Sequence, residues 1–479
     1  MTYVPHTDED RQAMLAAIGA RDLETLFDDV PASVRFPKLD LPPPVSEMEI
    51  ERELAELAAS NVDVTTRPCF LGAGSYRHFI PATVDTVLQR GELLTSYTPY
   101  QPELSQGMLQ ARFEYQSMIC ALTGMDVSTA SHYDGSAALA EAVLLALGLG
   151  GPTRRRVIVP PTVNPSYRRV LTTYLQSTDA IVVDGTPPLS DRSATDGALI
   201  EEDLLDEQVA ACVIQNPDFF GQLGSLSDLA RRVHDAGALL IVIADPIAMG
   251  MFRPPGDDGA DIVVADGQPL GIPLSFGGPR LGILATKQQH VRRTSGRLVG
   301  ETVDAAGDRG YVLTLTTREQ HIRRERATSN ICTDAALMAV AAAVYMSTVG
   351  SSGLGRIAEL CYHKSHFASH RIGQLPGFTV NPQSPDRPFF KEFVIELPVP
   401  AAEVNRRLLA AHDIVGGYDL GHLDPEWQHR MLLAVTETCT RDDIDRLVTG
   451  LSEIASSPSE GTTSEGTTSE GTTSEGTTS

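Results

Sequence analysis

Two strand ends carry the side chains best placed for chemistry in this chain. The run LLIVIADP closes on Asp245, and DIVVADGQPLGIPLSFGGP turns at Gln268, 23 positions further on. A carboxylate at the end of a buried strand suits a cationic partner, and a primary amine at the next turn would attack an aldehyde to form a Schiff base. Position 268 offers an amide, which is not a nucleophilic amine. That turn therefore offers no Schiff-base nucleophile.

Lysine is scarce enough to carry that test across the whole chain. Only Lys38, Lys287, Lys364 and Lys391 are lysines among the 38 basic residues. Lys38 lies in the proline-rich stretch RFPKLDLPPP, and Lys364 and Lys391 fall in the C-terminal third, outside the sheet expected to carry Asp245. Lys287 closes the strand LGILATK and is the one rival anchor. The polar QQHVRR after it reads as a helical continuation, which makes Lys287 a solvated strand-end lysine.

These residues need elements to hold them, and the chain supplies three regions. Residues 1–65 read as an N-terminal helical arm: DEDRQAMLAAIGA, a proline-rich link at Pro42–Pro44, then EMEIERELAELAAS opened by Ser46 as N-cap. Residues 66–325 alternate strands (VIVP, AIVV, AACVIQ, LLIVIA, DIVVA, LGILA) with helical segments, the pattern of a mainly parallel sheet covered on both faces. Residues 326–455 open with an alanine-rich helix, carry the strands FVIELP and MLLAV, and close on RDDIDRLVTGLSEI, a smaller α/β domain. Residues 456–479 hold four Ser-Glu-Gly-Thr-Thr repeats without apolar content, so disorder is expected there.

Composition narrows the function classes. The 479 residues carry 62 acidic and 38 basic side chains, a net charge of −24, which opposes binding to nucleic-acid phosphates. The start MTYVPHTDEDRQ lacks the basic-then-apolar order of a secretory signal, and GALLIVIA is too short to span a membrane. Six dispersed cysteines without a C-x-x-C pair suit reduced thiols, so a cytoplasmic location is expected. His363, His366 and His370 have one-face helical spacing but no acidic ligand between them, and no metal is expected.

Three long blocks carry a family resemblance. They are LTSYTPYQPELSQGMLQARFEYQSMICALTGMDVSTASHYDGSAALAEA, GADIVVADGQPLGIPLSFGGPRLGILATK and GRLVGETVDAAGDRGYVLTLTTREQHIRRERATSNICT. Together they resemble the glycine-decarboxylating P-protein family of the glycine cleavage system, in its split-form subunit 1. The resemblance implies the pyridoxal-phosphate (PLP)-dependent transferase-like fold, aminotransferase fold type I, and an oxidoreductase of two copies of each subunit. Subunit 2 would hold PLP on its lysine. The complex would decarboxylate glycine, release carbon dioxide and pass the aminomethyl group to the lipoyl disulfide of the H-protein. This chain would be inactive alone, with Gln268 the residue that subunit 1 shows at that turn.

The same resemblance assigns candidate sites. Tyr97, Thr98 and Tyr100 of SYTPYQPE would line the partner's active site, or else form a rigid turn with aromatic packing at the subunit contact. Thr328, Ser329 and Asn330, following Arg318, Arg323, Arg324 and Arg326, would complete the neighbour's phosphate or substrate site, or else form a salt-bridged interface with a helix cap. His132, Gly135, Ser136, Asp245 and Gln268 would form a relic coenzyme pocket. Asp134 beside that helix start disfavours a second anion, so the pocket is expected to be empty.

Overall fold

β-branched runs with no polar alternation need cover on both faces, and the strands found here have it. The structure is a computed structural model that describes residues 5–94, 97–184, 200, 202–327 and 329–456. Its main sheet contains β1 (Val127–Ser128), β2 (Arg156–Ile158), β3 (Ile181–Val183), β4 (Val209–Asn216), β5 (Leu239–Ala244), β6 (Ile262–Asp266) and β7 (Gly282–Thr286), in the order β1-β7-β6-β5-β4-β2-β3. The five strands from β3 to β6 run parallel, while β7 is antiparallel to both β6 and β1. Every strand read from the sequence in this region is present.

Successive side chains point to opposite faces and enter two cores. Val213, Ile241 and Val264 meet Leu139 and Val143 of the helix Gly135–Gly150. Cys212, Val242 and Val263 meet Ala342 and Tyr345 of the long helix Ala336–Gly373. That helix is long and apolar enough to cross a membrane by length and composition. Its Ala339 and Ala342 nonetheless pack in the second of these cores and its Ala368 and Ile372 in a third, on either side of a break at Gly350, where φ is 63°.

The other core lies against an antiparallel sheet of β10 (Thr379–Val380), β11 (Glu392–Glu396), β13 (Arg430–Ala434) and β12 (Tyr418–Asp419), in that order. The chain just after the arm joins it: Phe70 N–H donates to Val415 O and Ala434 N–H donates to Phe70 O, both at 2.9 Å. The stretch that the sequence places at the start of the large domain therefore runs first along the smaller one. A second difference is the hairpin β8 (Leu298–Val303) and β9 (Arg309–Thr314), which sequence reading leaves without strands. Asp304 caps its turn by accepting from Ala306 and Asp308 N–H, and Val299 and Tyr311 pack on Leu109.

Residues up to Asp63 form a separate unit. Its helices Asp8–Ala17 and Glu47–Ala59 both begin with a capping box, Thr7 with Asp10 and Ser46 with Glu49. The repeat tail and Thr328 lie outside the described residues.

Candidate functional site

The C-terminal ends of parallel strands are where open α/β sheets collect ligands, and Asp245 stands there at the end of β5. One carboxylate oxygen accepts from Ile247 N–H at 2.8 Å and Ala248 N–H at 3.1 Å. The other lies 2.5 Å from Lys391 Nζ. Burial opposes charge on Asp245, but the Lys391 ammonium outweighs it and holds the carboxyl below its ordinary range. Lys391 is 1% exposed, and its ammonium sits 3.5 Å from the centroid of the Tyr76 ring, a cation–π contact.

This corrects the placement of Lys391 away from Asp245. The loop after β4 brings it back: Phe390 N–H donates to Gly221 O at 2.8 Å and Leu223 N–H to Pro388 O at 2.8 Å, so the segment entering β11 crosses the mouth of the main sheet. Lys287 lies at the other end of the sheet. It follows the antiparallel β7 and pairs with Asp261 at 2.7 Å, ahead of β6. A six-residue strand spans roughly 20 Å, which separates it from Asp245. Lys287 is thus an ion-paired lysine, more engaged than a freely solvated one.

Gln268 is 3% exposed and fully committed. Its Nε2 donates to Tyr76 O at 3.0 Å and Ile272 O at 2.8 Å, and its Oε1 accepts from Tyr76 N–H at 3.1 Å. The neighbouring helix start is equally occupied. Asp134 accepts from Ala137 N–H at 2.8 Å and from the Ser136 hydroxyl, and Gly135 N–H points at Asp266 at 3.4 Å. Burial raises the Asp266 carboxyl although Arg280 lies beside it at 3.2 Å. A Cβ on Gly135 would fall 2.1 Å from the Tyr167 hydroxyl. His132 is fully buried between Thr129 and Ser295, and burial pushes its imidazole down to about 4, leaving it neutral.

The cavity between these groups measures about 50 Å³, lined in part by Asp245, Lys391, Tyr76, Tyr167 and Glu392. Ordinary small-molecule sites are roughly 300–1,000 Å³. A PLP group does not fit the residues present. Its ring-nitrogen partner is taken by Lys391, its anchor position is an amide, and two carboxylates occupy the helix start that would face its phosphate.

A second arrangement joins the other candidates. The Tyr97 hydroxyl lies 3.0 Å from Thr333 Oγ1, and Tyr100 OH accepts from Arg297 at 3.1 Å with its ring 4.9 Å from that of His321. Beneath them Arg297 bonds Cys332 O and lies 3.5 Å from Asp334, which also pairs with the fully buried Arg112. Tyr97, Tyr100 and Asn330 stay exposed and Thr98 half-buried. Ser329 turns inward, donating to Glu141 at 2.7 Å. Arg318 is buried on the carbonyls of Leu315, Thr294 and Gly296, while Arg323, Arg324 and Arg326 are exposed. The two sequence-distant segments form one rim on a charged base.

The family model described as the glycine cleavage system P-protein matches residues 1–451. The chain belongs to that family. A probable glycine dehydrogenase (decarboxylating) subunit 1 from Thermomicrobium roseum is 52% identical, covering 95% of this chain and 99% of its own length. Another so named, from Moorella thermoacetica, is 48% identical over 95% and 100%. A crystal structure of glycine decarboxylase (P-protein) of the glycine cleavage system in inhibitor-bound form aligns at TM-score 0.84 and 43% identity, over 95% of this chain and 100% of that one. A Burkholderia pseudomallei sphingosine-1-phosphate lyase, at TM-score 0.59 and 15% identity over 89% and 94%, shares the fold alone. The fold is that of PLP-dependent fold type I enzymes.

In this P-protein family member, sequence reading missed Tyr76, Lys391 and Glu392 around Asp245, and Arg112, Arg297 and Asp334 beneath the rim. None stands in a short motif; each acts through contacts between segments far apart in the chain. A further buried group, His78, Cys361 and Glu437, has ligand-type atoms within 4.8 Å of one another. Glu437 accepts there from Phe79 N–H and the Cys361 thiol and lies 2.7 Å from His78 Nδ1, so its oxygens are already engaged. Of the spaced histidines, His366 stacks on Phe389 with ring centroids 4.0 Å apart.

Proposed function

We propose that this chain is the coenzyme-free subunit 1 of a split glycine dehydrogenase (decarboxylating), working only with a lysine-bearing subunit 2. The observation that carries this reading is the self-filled pocket, with Gln268 committed to backbone and Lys391 to Asp245. Lys391 is itself buried and paired with Asp245, so its amine is not free to attack an aldehyde. PLP is therefore assigned to subunit 2, where it supplies the electron sink for decarboxylation. The complex, two copies of each chain in the cytoplasm, releases carbon dioxide from glycine and passes the aminomethyl group to the lipoyl arm of the H-protein.

In this reading Tyr97, Thr98, Tyr100 and Asn330 line the partner's active site; Thr328, given the same role by the resemblance, lies outside the described residues, and Ser329 is turned inward to Glu141. The Arg112–Asp334–Arg297 base keeps the rim fixed. Purified chain alone, supplied with PLP, should give no adduct after borohydride reduction, read by mass. Glycine–carbon dioxide exchange should appear only when subunit 2 is co-expressed. An adduct on this chain, or exchange without the second chain, overturns the proposal.

A further inference from the structure

Two phenols at the rim are bonded in a way that decides where their protons go. The Tyr100 oxygen accepts from Arg297 Nη2 at 3.1 Å, and the Tyr133 oxygen accepts from Cys332 N–H at 3.3 Å. A guanidinium and a backbone N–H only donate, so neither can receive a phenol proton in return. Among the described residues neither hydroxyl hydrogen has an acceptor. The two bonds also share a support. Arg297 donates to Cys332 O, so Cys332 is held at its carbonyl by the guanidinium behind Tyr100 and at its N–H by Tyr133. Arg297 itself is 3% exposed, 3.4 Å from Glu319 and 3.5 Å from Asp334, and lies beneath the two exposed rings.

We propose that Tyr100 and Tyr133 offer their O–H groups as a pair of neutral donors to the carboxylate of the substrate. Arg297 is then a positioning residue, which fixes Tyr100 as a donor without touching the ligand. This rests on the functional reading that the rim faces the active site of subunit 2. Two donors ask for a group with several lone pairs and no proton to give, and a carboxylate has both properties. The sulfurs of a lipoyl arm are weak acceptors, and a substrate ammonium is itself a donor. Neutral donors also suit the reaction. A guanidinium in direct contact would form a bidentate ion pair with the carboxylate, and that attraction disappears as carbon dioxide leaves. Binding strongest in the ground state slows the chemical step. Two phenols orient the same group without that ion pair.

The test compares glycine with methylamine, which keeps the amine and lacks the carboxylate, in the complex with subunit 2. Binding is read from the absorbance of the coenzyme. Tyr100→Phe and Tyr133→Phe should each weaken glycine binding about 10- to 100-fold, the loss of one hydrogen bond to a charged group. Methylamine binding should be unchanged. Arg297→Lys, which keeps the charge and a donor, should retain more glycine affinity than Arg297→Met, again with methylamine as the reference. Unchanged glycine binding in the two phenol variants overturns the proposal. Equal weakening of both ligands also overturns it, because a defect in folding or assembly does not distinguish them. Equal glycine losses in the two Arg297 variants remove that residue from its positioning role. An unaltered complex that neither binds glycine nor exchanges carbon dioxide would instead sink the functional reading beneath.

Discussion

A buried ammonium persists only beside countercharge, and Lys391 has Asp245 at 2.5 Å and the Tyr76 ring face at 3.5 Å. Removing one member of such a pair strands the other. Asp245→Asn should therefore cost about 3–5 kcal/mol in urea unfolding. With Lys391→Met in the same chain, no charge is left to strand. The double variant should then cost clearly less than the two single losses added, and strict additivity would refute the pairing. Glu392 gives a pH signature at the same spot. Burial pushes its carboxyl up to about 7 against the pull of Lys391 and the hydrogen bonds from Tyr76 OH and Ala73 N–H. The folded chain thus binds this proton more tightly than the unfolded chain, whose value is the ordinary 4.5. The resulting stabilisation is complete below pH 4.5 and is lost as pH rises through about 7. Glu392→Gln should leave the melting temperature near that of the unaltered chain at about pH 5 and raise it relative to that chain at about pH 8. Equal shifts at both pH values would show that Glu392 does not titrate between them.

The loop after β4 is the element that makes this pocket, and Gly221 is its tightest point. Its φ is +82°, and a Cβ there would lie 1.9 Å from Glu392 O, a backbone atom that cannot swing aside. Gly221→Ala should destabilise by about 2–4 kcal/mol, combining left-handed strain with overlap. Gly307→Ala is the control, with φ +90° and open space, and should cost only about 1 kcal/mol. If chemical denaturation gives the two variants equal losses, the close approach does not matter. The same contrast explains what was legible in the chain. LLIVIA and DIVVA announce strands because a run of consecutive apolar, β-branched residues has few other solutions, and Ser46 with Glu49 announces a helix start through local hydrogen bonds. The hairpin β8–β9 mixes glycine, glutamate and threonine, and it is fixed by packing Val299 and Tyr311 on Leu109, far earlier in the chain. Lys391 is unreadable for the same reason: its neighbours Tyr76 and Asp245 are set by pairing between residues 388–390 and 221–223, which leaves no periodic mark.

At the scale of the molecule, the pocket at Asp245 is filled by the chain's own side chains, and the exposed candidate residues stand elsewhere. The Asp245 end is closed to a cavity of about 50 Å³, whereas Tyr97 is 71% and Tyr100 50% exposed on the rim. Burying Arg112 and Arg297 below that rim is costly unless Asp334 and Glu319 answer them, which they do from within the chain. The base is therefore charge-compensated from within the chain. This separates two roles that a single variant would confuse. Tyr97→Phe removes only the hydroxyl 3.0 Å from Thr333 Oγ1, and Asn330→Ala trims an exposed side chain, so neither should lower the stability of the isolated chain by more than about 1 kcal/mol. If the rim touches glycine or the lipoyl arm in the complex, losing one hydrogen bond to the reacting ligand should reduce exchange about 5- to 100-fold. A change confined to association with subunit 2, with exchange in the saturated complex unaltered, would make the rim an interface and remove it from the active site.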